Sequence, residues 1–483
     1  MSDLIEVVAR LRALQNGQAV PITRQRQVFI QPHARILTLL AMAGEDTSVH
    51  GVAIGQLGSP PEIAITPDPR QRDDQYDLLR WLLPYFESYF AECLAVGDFP
   101  QIWVSSGGSL GHLDTLADRL RFTDDPEVQR IGTLWTYAGE RSPIAGQQAL
   151  VSATAALRAH YATGQQEAED EHLGALLTWI EPPPGRDILA AVAAAEAQPM
   201  GAKTDPQFDT NELQPAVAEY NQARSAGEPQ AVLDFHRDQI QRKLESVLRP
   251  IYAATQRALA LLSEPRWQSN PALDALARQE AEEFARFMEA REAGHNLPYR
   301  DGPKAGVFKI VAREKAVDNV EAGSLRHDRS ARERGVASGA VLRVMVTENQ
   351  RIKLAPRLFE NRLVLSSHQD RLHLRAGEEL WTLDGSKMSI RVSAVERRGP
   401  FTWITATAIK GKRIAKNLEI GTTLDFGPAE ANWQLGLELG QMSVRLAREP
   451  WTHGDTLPSP APNGRAMPAD LLATIEQLTG TGR

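Results

Sequence analysis

The sequence contains a single cysteine, Cys93, in 483 residues. One thiol excludes a disulfide framework, a zinc cluster and an iron–sulfur cluster. No apolar run reaches the ~18 residues needed to span a bilayer. The opening MSDLIEVVARLRAL is amphipathic and has no signal-peptide core. A cytoplasmic protein that makes no use of a membrane is the expectation. No glycine-rich loop ends in Lys-Ser or Lys-Thr, so the chain lacks the usual cradle for nucleotide phosphates and is not expected to hydrolyse ATP. No period of roughly 20–50 residues repeats, which excludes a solenoid. Glu292 to His295 lacks the second histidine of a zinc-hydrolase helix and carries no metal expectation.

What is present is an ordinary globular composition, with 42% hydrophobic residues. The length predicts about three domains at ~150 residues each. Charge is unevenly spread. The chain has 53 Lys and Arg against 61 Asp and Glu, a formal −8. Between Arg300 and Lys416 there are 24 basic and 13 acidic residues, 24 − 13 = +11; the remainder holds 29 and 48, or −19. A basic module on an acidic body implies a polyanion site on the module, because clustered Lys and Arg release counterions from a phosphate backbone.

Periodicity divides the chain into four segments. In 1–200 strands and helices alternate: Gln27 to Ile30, Ile36 to Ala43, Val49 to Ile54 and Ile63 to Thr66 read as strands. A helix from Asp73 to Val96 follows, with Pro84 inside it, then a strand from Gln101 to Val104, a glycine-rich turn from Ser105 to Gly111 and a helix from Leu113 to Leu120. Helices are also expected over Gly146–Ala162 and Glu167–Ile180. That order defines an α/β domain. Residues 205–299 read as a helical stalk whose stripe is Val232, His236, Ile240, Leu244, Val247, Leu248 and Ile251. Residues 300–450 read as a small basic β-barrel, with short strands at roughly 8–12-residue spacing from Val341 to Phe426. There Arg371, His373 and Arg375 alternate with Leu372 and Leu374, placing cations on one face and packing on the other. Residues 451–483 form a Pro-rich tail with a short helix near Pro468 to Leu478. The whole is an α+β multidomain fold.

Single groups have simple readings. Cys93 lies on an apolar helix face and reads as a buried structural thiol. The turn Ser105-Ser106-Gly107-Gly108-Ser109-Leu110-Gly111 can offer N–H groups to a phosphate, but equally serves as a plain tight turn. His236 reads as a core or interface histidine, and His368 and His373 stand among arginines.

Residues Val104 to Leu120, with Gly111-His112-Leu113-Asp114 and then Leu116 and Leu120, resemble the second acidic motif of RNase-H-like 3′–5′ exonucleases. Glu167-Ala168-Glu169-Asp170-Glu171, within His160 to Ile180, resembles their last motif. The resemblance covers roughly residues 25–180 and implies an RNase-H-like domain in which Asp114 and Asp170 are the catalytic and metal-binding carboxylates. The first motif should be a strand carrying Asp-x-Glu, yet Ala41 and Ala43 stand at those positions; Glu45 and Asp46 follow only after a register shift. Two-metal nucleases need about four carboxylates around cations ~3.5–4 Å apart. A degenerate domain that keeps a grip on nucleic acid is therefore expected, without a cofactor. The stalk and barrel are similar to the region ahead of the motor in superfamily-1 helicases, and no motor motif follows in this chain.

Three functions stay open. The first is a DNA- or RNA-binding accessory protein acting with a separate helicase or ATPase, in genome maintenance or defence against foreign DNA. Arg371, His373, Arg375, Arg397, Arg398, Lys410, Lys412 and Arg413 would then carry the binding. The second is a Mg²⁺- or Mn²⁺-dependent nuclease using Asp114, Asp170 and one or more of Glu45, Asp46 and Glu169. The third is a protein-interaction scaffold that binds no nucleic acid.

Overall fold

The computed structural model describes residues 4–45, 47–142, 148–295, 303–356 and 358–429. The expected tail at 451–483 lies outside the described residues. Two compact units divide the chain, 1–297 with 313–432 and 298–312 with 433–483. Of the second, only 303–312 is described, as the first turns of a helix.

The first half contains α1 (Leu4–Asn16), β1 (Val20–Pro21), β2 (Arg35–Leu40), β3 (Gly51–Gln56), β4 (Glu62–Ile65), α2 (Arg72–Ala95), β5 (Ile102–Val104), α3 (Gly107–Leu120), α4 (Pro126–Arg141), β6 (Leu150–Ser152), α5 (Ala153–Arg158) and β7 (Tyr161–Ala162). A 3-10 turn at Glu169–Glu171 precedes α6 (Leu173–Ile180) and α7 (Ile188–Glu196). Next come α8 (Pro206–Phe208), a π-helical stretch Asp209–Leu213, α9 (Gln214–Ser225), α10 (Gln230–Ser263), α11 (Pro271–Glu292), α12 (Pro303–His327) and α13 (Arg329–Ser338). The last elements are β8 (Leu342–Ala355), β9 (Leu358–Ser367), β10 (Glu379–Thr382), β11 (Ser389–Arg398), β12 (Phe401–Lys410), α14 (Lys412–Lys416) and β13 (Thr423–Gly427).

Five strands form a sheet in the order β4-β3-β2-β5-β6. β4, β3 and β2 pair antiparallel, and β2, β5 and β6 pair parallel. Successive side chains of a strand point to opposite faces. Ile36, Leu40, Ala53, Trp103 and Val151 pack on one side with α5, α6 and α10. Leu37, Leu39, Val52, Ile102 and Leu150 pack on the other with α2, α3, α4 and α11. Both faces are covered, which is why β2 and β5 read as continuous apolar runs.

Helix α3 begins at Gly107, so the expected turn is already helical, with Ser106 as its N-cap accepting from Ser109 N–H at 3.3 Å. Where α4 crosses this region, a Cβ on Gly132 would meet the Arg121 amide and the Leu120 carbonyl carbon. Only glycine allows that approach. The helix expected over Gly146–Ala162 is replaced by β6, α5 and β7, because Leu150 to Ser152 extend the sheet beside β5.

Four of the seven residues of the stripe expected to run along a stalk are internal, while Val232, His236 and Val247 are partly buried. Ile240, Leu244, Leu248 and Ile251 of α10 are fully buried against the sheet. A stripe this apolar gains ~1.5–3 kcal/mol per large side chain from such burial. Helices, not strands, fill 303–338. The barrel itself starts at Leu342 and is closed in the order β10-β11-β12-β9-β8-β13. Leu342, Val344, Leu363, Leu365, Ile390, Ile404 and Phe426 fill it. Closure removes the exposed edges that an open sheet would leave. Arg343 fastens α13 to the barrel through Glu333 at 3.0 Å and Asp425 at 2.7 Å.

The strand expected over Arg371–Arg375 is absent; these residues form the loop between β9 and β10. Their alternation survives nonetheless. Leu372 and Leu374 pack on the barrel core while Arg371, His373 and Arg375 are exposed. The loop is fixed by Gln369, whose amide donates to the Val336 and Val341 carbonyls at 2.7 and 2.8 Å. Burial alternation thus arises without a ladder of strand hydrogen bonds. No helix among the described residues is long and apolar enough to cross a membrane.

Candidate functional site

The carboxylates expected from the nuclease resemblance follow β2, β5 and β7 in the chain. β2 runs on into Ala41, whose N–H donates to Ala202 O at 2.8 Å and whose carbonyl accepts from Thr204 N–H at 3.0 Å. A returning segment thus covers the strand end. Asp209, in the π-helical stretch, accepts from Ala43 N–H at 2.8 Å and from the Thr204 hydroxyl at 2.5 Å. This buried carboxylate caps the strand, and its oxygens are taken by chain contacts. Sequence reasoning missed it, since nothing at residue 209 resembles a motif.

Asp114 is exposed on α3 and lies against Gly139 of α4. Partial desolvation of its carboxyl where it meets α4, with Asp118 and Glu140 nearby, raises its pKa. Asp170 points elsewhere. It is 1% exposed, pairs with Arg10 at 3.0 Å and accepts from Thr163 at 2.6 Å. Burial raises its pKa against the pull of these partners. Glu171, one residue on, approaches Gly107 at the start of α3 and accepts from Thr154 at 3.2 Å. Arg158 binds both Glu171 and Glu167. Glu45 is held by Ser48 at 2.6 Å and Arg70 at 3.0 Å, and Glu169 accepts from Gln166 N–H at 2.8 Å. Asp46 lies outside the described residues. Asp114 and Asp170 therefore have separate partners. Among the described residues no group of three or more His, Cys, Asp and Glu is placed to hold a metal ion.

The barrel gathers a different set. α14 sits at one end, where Asn361 of β9 donates to Lys412 O at 2.7 Å and Asn349 of β8 donates to Ala415 O at 2.9 Å. Gly411, with φ of +66°, makes the turn from β12 into α14, and a Cβ there would meet Met388. Around this end Arg351, Lys353, Arg362, Lys410, Lys412, Arg413 and Lys416 are all exposed. None of the seven is in an ion pair among the described residues, whereas Arg391 pairs with Glu379 and Arg398 with Glu396. Two of the cations lie over rings: Lys410 Nζ is 4.7 Å from the Trp381 centroid, and the Arg351 guanidinium is 3.9 Å from that of Phe359.

The eight expected binding residues fall into separate groups. Lys410, Lys412 and Arg413 belong to the α14 end. Arg397 and Arg398 lie at the β11–β12 turn, nine residues of strand away from Lys410. At ~3.3 Å per residue that separation is about 30 Å. Arg371, His373 and Arg375 occupy the β9–β10 loop, where Leu372, His373, Leu374, Arg375 and Glu378 line a cavity of about 600 Å³. Sequence order could not have joined Arg351, Lys353 and Arg362 to Lys412; the β8–β9 and β9–β12 registers do so.

No family model, curated protein or solved structure matches the chain.

Proposed function

We propose that the chain binds nucleic acid through the α14 end of the barrel, gripping the phosphate backbone. The observation that carries this reading is the set of seven exposed cations without ion-pair partners among the described residues, interleaved with Trp381 and Phe359. Unpaired cations retain their full counterion exchange on meeting phosphates, and partly exposed rings can add stacking. The α/β layer is part of the proposal as a degenerate RNase-H-like unit. Its support is the order of strands, helix, strand, helices and strand, with a sheet in which antiparallel β4, β3 and β2 are extended by parallel β5 and β6. Ala41 and Ala43 at the end of β2, with Asp209 capping the strand, favour a binding role over hydrolysis.

The test is a salt titration on the full chain. The triple variant Lys412→Ala, Arg413→Ala, Lys416→Ala is expected to weaken binding and to lower the log–log salt slope by ~0.7–0.9 per lost phosphate contact. A wild-type affinity that does not change with salt rejects the electrostatic grip.

The proposal includes a motor supplied by another chain, because helices α11 to α13 followed by a barrel have the order that the helicase likeness calls for. The buried part of the α10 stripe, Ile240 to Ile251, is not available to receive it. Affinity capture from the native cells is expected to recover an ATPase reproducibly; clean recovery without one removes that part of the proposal.

A further inference from the structure

The barrel presents a second feature, a strand face that meets the α14 end at Arg362. On β12 the even-numbered Thr402, Ile404, Ala406 and Ala408 are buried, which turns Phe401, Trp403, Thr405 and Thr407 outward. The register extends these into rows across neighbouring strands. Phe401 lies opposite Arg398. Trp403 lies between Glu396 and Ser366, with Met345 beyond Ser366. Thr405 lies between Ala394 and Val364, and Thr407 between Arg391 and Arg362. Rows on one face repeat every two residues, ~7 Å, and strands stand ~4.8 Å apart.

The result is a shallow platform. Its middle holds Trp403, Met345 at 42% exposure, Val364 and Thr405, while Arg398, Arg391 and Arg362 stand at its two ends. Glu396 carries its charge next to Trp403 but is paired with Arg398 at 2.5 Å. The Arg398 guanidinium lies 6.0 Å from the Trp403 ring centroid, and His368 lies 4.2 Å from that of Phe401. The rings thus stand in a surface flanked by three arginines, of which Arg398 and Arg391 are paired with Glu396 and Glu379 while Arg362 is in no ion pair among the described residues.

We infer that this face of β11, β12, β9 and β8 receives unpaired bases, so that the ligand is a single strand rather than a duplex. The inference rests on the proposed nucleic-acid grip and names its substrate class. A duplex keeps its base faces stacked inside, where rings on the face of a sheet do not reach them. A single strand offers every base face for stacking on Phe401 and Trp403, with its phosphates reaching the flanking arginines. Stacking on an aromatic ring tolerates any base and depends little on salt, in contrast to the phosphate contacts.

The experiment compares a labelled oligothymidine with a blunt duplex of equal length, on the full chain at matched salt. Single-strand affinity is expected to exceed duplex affinity by roughly tenfold or more. Trp403→Ala should lose roughly tenfold in single-strand affinity and leave the salt slope unchanged; Trp403→Phe should retain most of the affinity. Arg362→Ala should lower the slope by ~0.7. Melting curves establish that each variant is folded. Should Trp403→Ala fail to fold, Thr405→Glu sets a negative charge in the platform without removing a ring, and is expected to lose single-strand binding. Equal or tighter duplex binding, or a folded Trp403→Ala or Thr405→Glu with wild-type affinity, overturns the single-strand assignment alone. That outcome leaves the platform as an apolar patch for a protein. Binding of neither oligonucleotide rejects it together with the grip on which it rests.

Discussion

Glu280→Ala is expected to destabilise the protein by about 3–5 kcal/mol, the usual cost of removing one partner from a buried charge pair. Glu280 of α11 is 1% exposed and meets two groups of α4. The Tyr137 hydroxyl donates to its Oε1, and Arg141 Nε donates to the same atom at 2.9 Å. Removing the carboxylate leaves the Arg141 guanidinium and the Tyr137 hydroxyl without their acceptor, in a site walled by Phe90, Phe284 and Phe287. Burial pushes the Glu280 carboxyl up to about 7, against the opposing pull of Arg141 and Tyr137. A carboxyl raised above its unfolded value contributes stability that is present below that value and is lost as pH rises through 7. Wild type should therefore lose stability relative to Glu280→Gln between about pH 4.5 and 7. Chemical denaturation of the three proteins across that range checks both statements; a Glu280→Ala variant within ~1 kcal/mol of wild type would show that the pair holds nothing together.

His160→Gln should remove acid sensitivity worth about 3 kcal/mol. Burial pulls the His160 pKa down to about 4, partly opposed by the Ala156 carbonyl. The ring is held neutral: Nδ1 lies 2.7 Å from Ala156 O, and Nε2 accepts from Gln27 N–H at 3.0 Å. That contact requires an unprotonated Nε2, so protonation costs both the acceptor and the desolvation of a charge. A depressed pKa contributes stability present above 6.5 and lost as pH falls towards 4. With ~1.4 kcal/mol per pH unit, the wild-type advantage over His160→Gln should shrink by about 3 kcal/mol between pH 7 and 4. His50, buried beside Asp68 and Arg70, is likewise pulled down to about 4 and adds to acid sensitivity in both proteins. Thermal melts at several pH values supply the measurement, and a difference between the two proteins that does not vary with pH refutes this account.

Both sites join elements far apart in sequence, and neither was legible before folding. Glu280 reads as one acidic residue on a polar helix, and His160 as a residue near the end of the helix expected over Gly146–Ala162, where the chain instead leaves α5 and enters β7. The chain order nonetheless carried much of the architecture. Apolar runs located β2, β3 and β5, because strands buried on both faces are apolar along most of their length, and the run Ile63 to Thr66 located the partly exposed edge strand β4. Alternation located most of the barrel strands and the packing of Leu372 and Leu374, because a residue's side is set locally by the period of two. The lone cysteine and the basic stretch from Arg300 to Lys416 are facts of composition, and they bounded the chemistry without a structure.

Only the tertiary structure decided where side chains meet. The α10 stripe has the same spacing whether it faces a partner or a sheet, and packing on β2 and β3 resolved it inward. The 3-10 turn at Glu169–Glu171 sends Asp170 to Arg10 and Glu171 towards α3, a division that one residue of backbone rotation controls and no motif spacing reveals. The cations were visible as a sum, but barrel closure divided them. Strand registers carried Arg397 and Arg398 to the β11–β12 turn and brought Arg351 and Arg362 beside Lys412. Charge is additive along a sequence, whereas a binding surface depends on distances, and those are fixed by long-range strand pairing that local propensity does not encode.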